Sequence, residues 1–98
     1  MTENVFAEIG LEDADELLVK ASLAMRISKC IATLGLNQKQ AALRMNIDQP
    51  SVSRLVNGAL DDFSTERLMK FLLRLGADVE IRVKKRPRKE AGRLTVTA

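Results

Sequence analysis

Twenty residues in the middle of the chain, Gln38 to Asn57, hold its best-spaced polar side chains: Gln38, Gln49, Ser51, Ser53, Arg54 and Asn57, set among short apolar stretches. A glutamine amide can meet adenine with one donor and one acceptor, and an arginine fork can meet guanine with two donors. Each such pair contributes roughly 1–3 kcal/mol of discrimination. Serine, asparagine and backbone N–H groups suit phosphate oxygens, which set register without reading sequence. Catalysis has little to work with. The chain has no histidine, so Ser51 and Ser53 lack an imidazole base and Cys30 lacks a Cys–His partner. The carboxylates are isolated, which argues against a small ribonuclease. Cys30 is the sole cysteine, so neither an internal disulfide nor a zinc set is expected. No catalytic residue, metal or cofactor follows from these residue types.

To act together, these side chains must share one rigid face. Residues 37–45 read as a short helix, with Asn37 as N-cap and Gln40 three residues on. Asn46-Ile47-Asp48 breaks the pattern, and Asn46 suits a left-handed backbone. Asp48 then caps a second short helix, with Pro50 in its first turn, ending near Asn57-Gly58. Two short helices joined by a three-residue turn form a helix-turn-helix candidate. Ala42 sits where the pair must approach closely, and Met45, Ile47, Val52 and Leu55 face inward. Gln49, Ser51, Ser53, Arg54 and Asn57 are left outward.

A scaffold surrounds the pair. Residues 13–34 read as a long helix capped by Asp13 and Glu16, with Leu17, Ala21, Ala24, Ile27, Ile31 and Leu34 as its apolar stripe and Gly35 as its stop. Before it, Val5, Phe6 and Ile9 suggest an irregular or short helical lead. Cys30 reads as a buried spacer. Ser64 caps a further helix to about Leu75, with Leu68, Phe71, Leu72 and Leu75 on one face and Gly76 after it. Val79, Ile81 and Val83 alternate with polar residues, a period of two that predicts a β-strand, and Leu94–Thr97 is a weaker strand candidate.

With 98 residues, 46% hydrophobic and 30% charged, the chain is sized for one globular domain. We divide it into an acidic lead at 1–12, a helical domain at 13–76, and a strand with basic tail at 77–98. Its three aromatic residues are all phenylalanine, so the core is aliphatic. No apolar run approaches the roughly 20 residues a membrane span needs, and the acidic start is unlike a secretory leader. A cytoplasmic chain is expected. Charge is segregated: residues 1–16 carry six acids and no base, whereas residues 84–98 carry six bases and one acid. Such polarity favours an anionic partner at the basic end, with nucleic acid foremost.

The stretch LNQKQAALRMNIDQPSVSRLVNG, Leu36 to Gly58, resembles the core of phage-repressor-like (XRE, Cro/CI type) helix-turn-helix proteins. The flanking blocks and the basic tail are similar to small HigA-like antitoxins. The resemblance implies a mainly α, lambda-repressor-like bundle of about five helices, with the third helix in the major groove of double-stranded DNA. It also implies roles. Gln38 would clamp a phosphate and Gln49 would read the first base. Pro50 would offer only apolar contact, such as with a thymine methyl. Ser51 would meet a phosphate, Ser53 and Arg54 would face base edges, and Asn57 would meet a phosphate near the helix end.

The predicted strand needs a partner. It pairs either with residues 94–97 or with the same strand of a second copy. Pairing between copies fits DNA reading better, because two recognition helices about 34 Å apart read the half-sites of a palindrome. A homodimer through Val79, Ile81 and Val83 is therefore expected. The resulting reading is an autoregulatory repressor, the antitoxin of a HigBA-like pair, with residues 1–16 a candidate contact for a basic toxin. The alternatives are an XRE-type regulator without a toxin, or a protein-interaction module that binds a basic partner.

Overall fold

A computed structural model describes residues 13–85 and 92–97, which hold four helices. They are α1 (Asp13–Leu34), α2 (Gln38–Met45), α3 (Gln49–Val56) and α4 (Thr65–Arg74). The expected lead with Val5, Phe6 and Ile9 lies outside the described residues, as does the side chain of the expected cap Asp13. Helix α1 packs chiefly along α4 and also touches α3, while α2 and α3 form a close pair with α2 leaning on α4. Ile27, Met45, Val52, Leu55, Phe63, Leu68 and Phe71 make the fully buried centre.

Local chemistry sets each helix boundary. At α2, the Asn37 side chain accepts the Gln40 N–H at 2.8 Å and the Gln40 side chain accepts the Asn37 N–H at 2.9 Å, a reciprocal capping box. The Asp48 carboxylate accepts the Ser51 N–H at 2.7 Å to begin α3, and the Ser64 hydroxyl accepts the Arg67 N–H at 3.1 Å to begin α4. All four helices stop alike. A left-handed residue (Gly35, Asn46, Gly58 or Gly76) is followed by an N–H that donates to the carbonyl five residues back, from Leu36, Ile47, Ala59 and Ala77 respectively. Asn46 is the one non-glycine among them, with φ 59° and ψ 47°. Asparagine tolerates this region because its short polar side chain can hydrogen-bond locally, which a methyl cannot. Asn46→Ala should therefore lower stability by up to about 1 kcal/mol, whereas Asn46→Gly should not. Paired urea titrations read the difference.

Three expectations need correction. First, the described residues hold four helices, not about five, and no strand. Residues 77–85 form no ladder and neither do residues 92–97. Alternation shows which side of an extended segment is apolar, but a strand also needs a partner backbone. Instead, the end of the chain lies against α1: Val79 and Val96 pack on the core, and the Arg26 guanidinium donates to the Thr97 carbonyl at 3.1 Å. The hairpin of 79–83 with 94–97 is therefore absent. Second, the buried stripe of α1 is Val19, Leu23, Ala24, Ile27 and Ile31, while Leu17, Ala21 and Leu34 are exposed. Residues 17–27 are apolar almost all round, so a spacing of three or four fits two neighbouring faces. Third, Cys30 is only half-buried at the core's edge.

Candidate nucleic-acid interface

Helix α3 is held from behind. Val52 and Leu55 are buried against the bundle, as are Ala41, Ala42 and Met45 of α2, with Ile47 half-buried in the turn. Ala42 is small where the pair must come close, as its position requires. A further tie comes from α4, where the Arg74 guanidinium donates to the Met45 carbonyl at 2.8 Å and satisfies the end of α2. The helix-turn-helix is thus fixed by apolar packing on one side and a charged cross-link at its turn.

The outward side of α3 follows from 3.6 residues per turn. Gln49, Ser53 and Asn57 form one row at spacings of four, and Pro50 and Arg54 form the next. Gln49, Pro50, Arg54 and Asn57 are exposed and Ser53 is half-buried. The helix is eight residues long, and with side chains a helix is about 10–12 Å across, which fits a major groove about 12 Å wide. Gln38 stands half-exposed in the first turn of α2, where outward N–H groups and the helix dipole favour an anion. Of the exposed bases on this half of the molecule, Arg44 and Lys39 lie on α2 and Arg54 on α3.

Ser51 departs from its expected outward place. It is 8% exposed, and its hydroxyl accepts from the Arg54 guanidinium at 2.9 Å. Asn57 is outward, but its amide already donates to the Ser53 carbonyl at 2.9 Å and so finishes α3. Asp48 links these groups. Its carboxyl is held below the ordinary 3.8, first by the Ser51 hydroxyl, then by the Ser51 N–H, with Arg54 and Arg67 adding to the effect. A carboxyl whose folded value is lowered stabilises the fold above its unfolded value, and this contribution is lost as pH falls through the lowered folded value. Acid unfolding should therefore be less steep below pH 4 in Asp48→Asn, which keeps a capping side chain but no titrating one. Tm against pH, compared with the unaltered chain, gives the result.

Two cationic side chains escaped the sequence reading. Arg67 lies over the Phe63 and Phe71 rings at 5.2 and 5.3 Å, and the rings meet edge to face at 5.9 Å and 79°. Arg74 makes the cross-link to α2. Arg67 and Phe71 are four apart on α4, a spacing that places side chains together on a helix, whereas Phe63 joins them from the loop before it. Nothing in the local sequence marks Arg74, because its acceptor is 29 residues away. Among the described residues, no cluster of three potential ligands could hold a metal, and no helix is long and apolar enough to cross a membrane.

Comparison with known proteins adds independent findings. A family profile described as a helix-turn-helix domain matches residues 5–84. A solved structure provisionally assigned as an XRE family transcriptional regulator is 44% identical, with a TM-score of 0.82, covering 89% of this chain and 99% of that one. No curated protein matches.

Proposed function

The chain belongs to the helix-turn-helix domain family, of the XRE type, and from that premise we propose that this DNA-binding transcriptional regulator is a sequence-specific repressor of its own promoter. The observation that carries the reading is the outward row Gln49–Ser53–Asn57 with Arg54 beside it, on a helix capped at both ends and locked through Val52 and Leu55. Gln49, Ser53 and Arg54 read base edges, Pro50 gives apolar contact, and Gln38 and Asn57 hold phosphates. Ser51 belongs to this face through Arg54.

The working form is a homodimer on a palindromic operator. Supporting this, Ile81 and Val83 are 73% and 94% exposed beside the half-buried Val79, leaving apolar side chains that a second copy would cover. The basic residues at 84–93 add salt-dependent affinity along the DNA backbone. We assign the antitoxin role on the acids of residues 1–16, which suit a basic toxin. A gel shift on the chain's own promoter tests the repressor reading: a retarded band that weakens steeply with salt is expected, and no retardation at micromolar protein overturns it. Adding the product of a co-transcribed neighbour tests the toxin. Light scattering tests the dimer, and a monomer at tens of micromolar would exclude it.

A further inference from the structure

Ser51 has the outward position of a phosphate contact by resemblance, yet it is 8% exposed and its hydroxyl accepts from the Arg54 guanidinium. We propose that Ser51 is a positioning residue for base reading: its hydroxyl, anchored in the first turn of α3, holds the Arg54 guanidinium in place for the base edge. The inference rests on the DNA-reading function given above and assigns selectivity to a residue that does not touch DNA.

The geometry supports this in three ways. The Ser51 N–H is fixed by the Asp48 carboxylate at 2.7 Å, so the hydroxyl sits on an anchored backbone. A serine hydroxyl has one hydrogen to donate and lone pairs to accept with, so it can face Asp48 and receive Arg54 together. The bond engages one terminal nitrogen of Arg54 at 2.9 Å, and a guanidinium carries five N–H donors, leaving enough for a two-pronged contact with guanine. A free arginine must give up rotamer freedom on binding, and a held one has already done so. The gain is therefore specific to the sequence that Arg54 reads. A phosphate contact from Ser51 would instead favour every sequence equally.

The test is a double-mutant cycle on the full chain. The unaltered chain, Ser51→Ala, Arg54→Ala and the double variant are titrated against a duplex spanning the chain's own promoter and a random duplex of equal length. Ser51→Ala should weaken promoter binding about three- to tenfold, the range of one hydrogen bond, and leave the random duplex unchanged. In the Arg54→Ala background it should have no further effect. Ser51→Thr, which keeps a hydroxyl, should restore selectivity. Ser51→Cys fills the same space with a weak acceptor and should reproduce the selectivity loss if Ser51→Ala lowers Tm. Equal weakening on both duplexes, an unchanged effect without Arg54, or no effect at all overturns the proposal. If the unaltered chain shows no preference for its promoter, the function reading fails first and this inference with it.

Discussion

Arg54→Ala will weaken promoter binding by roughly 5- to 150-fold, the fold-change corresponding to 1–3 kcal/mol for a two-pronged contact with guanine. Affinity for random DNA should change far less, because Arg54 is assigned to a base edge. Salt dependence separates the two kinds of contact. Removing a phosphate contact lowers the slope of log affinity against log salt by about one, whereas removing a base contact leaves it nearly unchanged. Arg54→Lys should keep the charge and lose most of the selectivity, since an ammonium lacks the planar fork. Arg54 is exposed but donates to the buried Ser51 hydroxyl, so its loss should lower unfolding stability by about 0.5–1.5 kcal/mol. Fluorescence anisotropy on two duplexes at three salt concentrations, with a urea titration of each variant, checks all of this. Equal losses on both duplexes would return Arg54 to the phosphate backbone.

Phe71→Ala should have the largest effect on the fold. Phe71 is 2% exposed, meets Phe63 edge to face, and supports the Arg67 guanidinium. Removing a buried phenylalanine costs about 3–5 kcal/mol through lost transfer energy and the cavity left behind. Native domains hold only about 5–15 kcal/mol, so this one substitution consumes much of the available stability. Its consequences extend beyond the local gap. The aromatic pair joins the loop at Phe63 to α4, and α4 is the main packing surface for α1. Arg67→Ala should be mild by contrast, near the roughly 0.5–1 kcal/mol typical of an exposed cation over a ring. Urea midpoints for the two variants give the comparison. DNA binding by Phe71→Ala should fall in step with its folded fraction, and a normal midpoint would show that the ring pair is not central to the core.

Much of this fold was legible because its signals are local. Asn37 with Gln40, Asp48 with Pro50, Ser64, and the stops at Gly35, Asn46 and Gly76 each act within about five residues, and each was read from the chain alone. The inward faces of α3 and α4 were equally clear, because Val52, Leu55, Leu68 and Phe71 are bordered by polar neighbours. The face of α1 was not, since Leu17, Leu18, Val19, Leu23 and Met25 give no polar contrast. The strand at 79–83 failed for another reason: alternation is a property of one segment, but pairing belongs to two. The outward row of α3 was legible through Gln49, Ser53 and Asn57. The bond between Ser51 and Arg54 was not, because helical spacing allows both a free and a tethered arginine.

The four left-handed helix stops have a kinetic consequence. Each is satisfied by a hydrogen bond reaching back only five residues, so every helix end is encoded locally, although the eight-residue α2 and α3 are held only once they pack. The slow event that remains is closure of α1 onto α4, across the intervening α2–α3 pair. Chains dominated by such nearby contacts reach the native state in microseconds to milliseconds. We expect stopped-flow refolding to finish largely within its dead time. Asn46→Ala, which perturbs the stop between the two helices of the motif, should show whether that turn forms before or after the closure, through its division between folding and unfolding rates.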